Sequence, residues 1–167
     1  MVSSLAVMQT IQAVFDSSVL VQVKWPNDVI LNEKKVCGIL IENGIRMTKL
    51  DYSIVGIGLN VNQKLFSVDR ATSISRELNR DVQLQRVFEI LLSNLERNYL
   101  KLRSSKESEI KEMYLENLLG YLKLRRYQSE YIFEGSIVDV LDSGLLKLRT
   151  SSGDKLFDFK EVSFLWN

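Results

Sequence analysis

The sequence predicts an α+β protein in which a central β-sheet with helices is followed by a small all-β module. Three observations predict it. Apolar strands punctuated by turn residues fill residues 19–62, a stripe of Leu, Val, Phe and Tyr at helical spacing covers residues 84–102, and short strands separated by glycine turns fill the chain from residue 131 onward. Helical and strand periods differ enough to be told apart along the chain. The change of texture after Gly120 divides the chain into domains of residues 1–119 and 120–167.

The elements follow in order. Leu5, Met8, Ile11 and Phe15 recur about one turn apart and predict a one-faced helix, stopped by the cluster Asp16, Ser17 and Ser18. Residues 19–23 read as a strand that ends at Trp25 and Pro26, because proline forces its predecessor into extended structure and lacks a backbone donor. Val29, Ile30 and Leu31 resume the strand, Asn32, Glu33 and Lys34 supply a polar turn, and residues 35–42 (KVCGILIE) return as a strand apolar enough for burial on both faces. Residues 52–58 (YSIVGIG) add a third strand. Leu84, Val87, Phe88, Leu91, Leu92, Leu95, Tyr99 and Leu102 predict a long helix whose apolar stripe and the KVCGILIE strand bury each other. Helical character continues less regularly over residues 106–119, and Gly120 is a natural stop. Short strands are expected at residues 131–133, 136–141, 145–149, 155–159 and 164–166.

Composition narrows the chemistry. A chain of 167 residues with 46% hydrophobic and 26% charged content can bury a real core. Its 22 basic and 21 acidic residues leave a formal charge of +1, so no overall field argues for nucleic acid or an acidic membrane as partner. One cysteine, Cys37, cannot form an internal disulfide and fits a reducing compartment, which makes the cytoplasm the expected location. Without histidine, and with that single cysteine, His/Cys zinc sites and histidine-based triads are excluded. The first fifteen residues lack a basic n-region and no apolar run approaches the ~20 residues that cross a bilayer, so neither a signal peptide nor a membrane span is expected.

Three segments concentrate polar chemistry. In KWPND, Lys24 offers a point charge for phosphate, Trp25 a stacking face, and Asn27 and Asp28 groups that could orient a nucleotide or bind magnesium through oxygen. The same residues also describe a tight turn around a satisfied tryptophan. Lys35 opens an apolar strand, where an ammonium needs a partner such as a carboxylate ligand, and Gly38 removes a side chain beside it. A snorkelling lysine and a packing glycine would give the same pattern. In GIGLNVN, Gly56 and Gly58 permit close approach of a flat ligand and Asn60 offers an amide to an adenine or phosphate. The third glycine of a dinucleotide fingerprint is missing.

Taken in this order, KWPND at residues 24–28, KVCGILIE at 35–42 and GIGLNVN at 56–62 resemble the biotin protein ligase family, as does the run Ala71, Thr72 and Ser73 before the long helix. The resemblance implies a class II synthetase-like core, with a mixed central β-sheet and helices, followed by an SH3-like barrel. It implies an enzyme that adenylates biotin with ATP and then transfers it to a lysine of a biotin carboxyl carrier protein. By position, Lys35 looks like the catalytic lysine contacting the biotin carboxylate and phosphate. Gly38, Gly56 and Gly58 would shape the biotin slot, and Lys24, Trp25, Asn27, Asp28 and Asn60 would handle ATP, with Asp28 a candidate ligand for Mg2+.

The family's GRGxxGR-like loop, which precedes KWPND and folds over the adenylate, does not occur in residues 1–23, so the expectation is a site incomplete in this chain. A non-catalytic remnant that binds a carrier domain and a lipoate ligase-like enzyme are the alternatives; the pairing of KWPND with KVCGILIE fits the biotin branch better. No DNA-binding helix-turn-helix is read, no nucleic acid or membrane partner is expected, and an open sheet edge is expected to allow a homodimer or aggregates.

Overall fold

Successive hairpins build the first sheet. In the computed structural model, which describes residues 1–15, 19–47 and 49–166, β1 (Val21–Lys24), β2 (Asp28–Leu31), β3 (Lys34–Arg46) and β4 (Lys49–Leu59) lie in the order β1-β2-β3-β4. Every neighbouring pair is antiparallel, not mixed as expected, because short turns that join sequential strands can only reverse the chain. Between β2 and β3 the turn residues Asn32 and Glu33 both take positive φ, 48° and 65°, the geometry of a tight two-residue hairpin.

Helix α1 (Val2–Phe15) packs against β1, β2 and β3 on one side and against α3 (Leu84–Arg103) on another. Its burial therefore extends beyond the expected single stripe to Ser3, Ser4, Ala6, Val7 and Thr10. The expected stop at Asp16, Ser17 and Ser18 lies outside the described residues. A short helix, α2 (Ile74–Leu78), follows the sheet, and α4 (Glu107–Glu116) follows α3.

The α1–α3 contact corrects the sequence reading of α3. The helix forms where its periodicity places it, but the face it buries carries Val87, Asn94 and Asn98, while Leu84, Phe88, Leu92, Tyr99 and Leu102 are between 38% and 60% exposed. Polar groups join the two helices. Asn94 Nδ2 donates to Thr10 Oγ1 (3.1 Å), Asn98 Nδ2 donates to Gln9 Oε1 (3.1 Å), and Thr10 Oγ1 donates to the Ala6 carbonyl (2.7 Å). Periodicity reports that one face is apolar; it does not say which face meets a neighbour. The KVCGILIE strand is likewise buried only at Val36, Cys37 and Ile39, with Leu40 and Ile41 exposed where β3 and β4 extend beyond β2.

The chain divides into two compact units, Met1–Tyr114 and Leu115–Asn167. In the second, β5 (Arg125–Gln128), β6 (Ile132–Val140), β7 (Leu146–Thr150), β8 (Gly153–Phe157) and β9 (Ser163–Phe164) form an antiparallel sheet in the order β8-β7-β6-β5-β9. Strand β5 escapes sequence reading because only Tyr127 of RRYQ turns inward, where its ring stacks on Phe133 at 5.9 Å and meets Phe164 at 5.1 Å. Residues 131–133 and 136–141, expected as separate strands, fall on the single strand β6. Gly135 lets it continue: a Cβ there would lie 3.0 Å from the Arg149 carbonyl oxygen.

The polar seam makes a prediction. Asn94→Ala removes a buried donor to Thr10 and should lower the unfolding free energy by about 1–3 kcal/mol in urea titration; an unchanged midpoint would mean that the seam contributes nothing.

Candidate active site

Register brings the candidate residues together. Across the sheet, Lys24 pairs with Asp28, Asp28 with Gly38, and Gly38 with Gly58, so these four occupy one row. Directly opposed residues of antiparallel strands project to the same face. Two residues further along, Gly56 on β4 opposes Leu40 on β3, so the glycine strip continues on β4 alone.

Lys35 would face the other way in a regular strand, since it lies three residues from Gly38. A register shift between Val29 and Ile30 changes this: Val29 opposes Cys37, whereas Ile30 opposes Lys35, leaving Val36 as the extra residue. Such a bulge re-aims a side chain. Here it turns Lys35 to the face of Asp28. The backbone of Lys35 is held from the far side as well, its N–H donating to the Arg70 carbonyl (2.7 Å) and its carbonyl accepting from the Thr72 N–H (2.9 Å).

The charges meet on Asp28. Its Oδ2 lies 3.3 Å from Lys24 Nζ and its Oδ1 2.5 Å from Lys35 Nζ. Asp28 is 13% exposed and Lys35 49%, so the carboxylate is enclosed while the Lys35 ammonium opens to solvent. Two cations against one anion leave a net positive charge beside the glycine strip, suited to a carboxylate or phosphate.

The glycines are not required by the fold. A Cβ on Gly58 would lie 3.5 Å from its nearest neighbour, the Gly38 carbonyl oxygen, and one on Gly56 would lie 3.9 Å from Leu40, both ordinary contacts. Neither takes positive φ. Gly38 differs, because its Cβ would press on Lys35 Nζ at 3.3 Å. The strip keeps space free beside the ammonium.

The remaining expected site residues divide. The Asn27 carbonyl accepts from the Ile39 N–H (2.8 Å), which fixes the turn. Trp25 is 5% exposed, so its indole packs inward and shapes the turn instead of presenting a stacking face. Asn60 Nδ2 donates to the Thr72 carbonyl (3.1 Å), which commits half its amide to structure. Sequence reasoning missed Glu77, which accepts from Thr72 Oγ1 (2.6 Å) and Asn32 Nδ2 (2.9 Å) and pairs with Lys34 (3.3 Å). It ties α2 to the β2–β3 turn. A carboxylate in a five-residue helix gives no sequence signal of that role.

Comparisons with known proteins agree on one kind of relative. Residues 1–60 match the Biotin/lipoate A/B protein ligase family. Among individual proteins, the chain is similar to the bifunctional ligase/repressor BirA of Bacillus spizizenii, 30% identical over 161 residues, which cover 93% of this chain and 49% of the relative. A biotin–[acetyl-CoA-carboxylase] ligase of Paracoccus denitrificans is 28% identical, covering 98% of this chain and 71% of the relative. The biotin protein ligase of Aquifex aeolicus, solved in complex with biotin and ATP, superposes with a TM-score of 0.77 at 28% identity, over 99% of this chain and 70% of that one. The chain spans about half the length of the Bacillus relative. The α+β architecture with antiparallel sheets is similar to that of the Aquifex aeolicus biotin protein ligase.

Burial, its largest influence, pushes the Cys37 thiol up to about 12, with Lys35 opposing and Asp28 adding to the rise. Cys37 should therefore resist a thiol reagent at neutral pH until the protein unfolds; rapid labelling of the native protein would contradict this.

For Glu77, burial disfavours the charge, but the hydrogen bonds from Thr72 and Asn32 and the Lys34 ammonium outweigh it and lower its pKa. A lowered folded pKa contributes stability above the ordinary carboxylate range that is lost as pH falls through the folded value. Glu77→Gln should thus cost about 1–3 kcal/mol near neutral pH, and the gap to wild type should close in acid, as the pH falls through the lowered pKa of the folded carboxyl. A gap independent of pH would show that the charge is not what matters.

Proposed function

We propose that this chain carries the core of a cytoplasmic biotin protein ligase, with residues 1–119 belonging to its catalytic domain and residues 120–167 forming an SH3-like barrel. One observation carries the reading: the Lys35 ammonium, re-aimed by a bulge, stands beside glycines that the fold does not require. The similarity to ligases named for biotin supports the choice of substrate.

In this reading the biotin ring system lies on Gly38, Gly58 and Gly56, and its carboxylate reaches Lys35. Attack of that carboxylate on the α-phosphate of ATP gives biotinyl-adenylate and pyrophosphate. A lysine amine of a biotin carboxyl carrier protein then attacks the acyl carbon, and AMP leaves. Lys35 neutralises charge as it moves between carboxylate and phosphate oxygens, which is where a fixed cation accelerates the step. Lys24, Asn27 and the free oxygen of Asn60 serve the nucleotide, and Trp25 walls the turn.

Magnesium accompanies this reading as a partner of the nucleotide. The residues present do not fit a protein-held ion: both Asp28 oxygens face ammonium groups, and the described residues contain no group of three or more His, Cys, Asp or Glu able to hold a metal. No step is routed through it.

In the protein that contains this chain, Lys35→Ala should lower biotin-dependent pyrophosphate release by about 10²–10³-fold, the usual effect of losing one preorganised charge-stabilising donor. Its melting temperature should barely change, because Lys35 is half exposed. Near-normal release would remove Lys35 from the reaction.

A further inference from the structure

We propose that Asp28 is a positioning residue for Lys35 and Lys24 and binds no metal; the inference rests on the ligase reading of the same site. Asp28 occupies the middle of the row Lys24, Asp28, Gly38 and Gly58, hydrogen-bonded by its strand on both sides, and its side chain is the most enclosed of the three charged groups. Each carboxylate oxygen faces a different lysine, Oδ2 that of Lys24 and Oδ1 that of Lys35. A magnesium ion on Asp28 would have to displace one ammonium and sit beside the other.

Hard-cation chemistry opposes that exchange. Mg2+ demands near-octahedral oxygen at about 2.0–2.1 Å and is held by carboxylates together with phosphates and water. Asp28 is a single carboxylate, and two adjacent cations repel a third. Gly38 fits the alternative, since a side chain there would meet Lys35 Nζ at 3.3 Å and Asp28 Oδ1 at 3.9 Å, crowding the ion pair itself. Asp28 thus aims Lys35 across the glycine strip, and Lys35, the more exposed partner, swings from Asp28 to the arriving carboxylate. Lys24 remains with Asp28, so the anion is never left unpaired. The divalent ion is carried by nucleotide phosphates and water alone.

Asp28→Asn separates the roles, because the amide keeps the shape and an acceptor for Lys24 but loses the charge. Biotin-dependent pyrophosphate release should fall at least about tenfold in kcat with a raised KM for biotin. The apparent Mg2+ constant should stay within about twofold of wild type, and excess Mg2+ or Mn2+ should not restore the rate. A tenfold or greater rise in the Mg2+ constant with recovery at high Mg2+ would make Asp28 a metal ligand and overturn the proposal. A second arm does not depend on activity: acetic anhydride labelling of Lys35, followed by mass spectrometry, should accelerate severalfold in Asp28→Asn. Unchanged labelling with circular dichroism of the wild-type form would also overturn it. Should the wild-type protein show no biotin-dependent pyrophosphate release, the ligase reading fails, while the labelling arm still decides whether Asp28 positions Lys35.

Discussion

The sharing of one enclosed carboxylate by two ammonium groups depends on three constraints that meet at β3. Pairing on both edges places Asp28, Gly38 and Gly58 in a single row. The bulge at Val36 turns Lys35 to the same face. The segment from Arg70 to Thr72 then holds the Lys35 backbone from outside the sheet, through hydrogen bonds of 2.7 and 2.9 Å. That segment is itself anchored by Asn60 and, through Thr72, by Glu77, so the contacts that aim one lysine extend from the end of β4 to α2. A flexible four-carbon side chain holds a useful position only when its backbone and counter-charge are both fixed.

Parts of this were legible in the sequence, and the reason differs by element. KWPND, the lysine opening KVCGILIE and the paired glycines of GIGLNVN are short motifs on consecutive hairpin strands, so their meeting follows from local pairing alone. The bulge was not legible, since a register shift is a property of two strands and leaves no mark in the residues of one. Without it, Lys35 and Gly38 would lie on opposite faces. The burial of Trp25 and the commitment of the Asn60 amide to Thr72 were also hidden, because they depend on what packs against those residues from elsewhere in the chain. Glu77 belongs to the same class.

The α3 helix shows the limit of periodicity. Its apolar positions repeat as a helix requires, and the helix is there, yet its packed face meets α1 through Asn94 and Asn98. Hydrogen bonds are directional, so this seam specifies one alignment of the two helices more sharply than interchangeable aliphatic contacts would. The apolar residues Leu84, Phe88 and Leu92 remain exposed. The seam matters to the site because α1 also covers β1, β2 and β3, the strands that carry Lys24, Asp28 and Lys35.

The central claim is that the glycine strip is kept open for a ligand whose carboxylate ends at Lys35. Gly58 tests it most directly, since a Cβ there meets no backbone strain and no contact closer than 3.5 Å. Calorimetric titration of biotin into the protein containing this chain, as wild type and as Gly58→Val, is the measurement. The account predicts an unchanged melting temperature with affinity lowered at least about tenfold, the loss of ~1.4 kcal/mol of binding. Equal affinities in a folded variant would contradict it and place the ligand elsewhere.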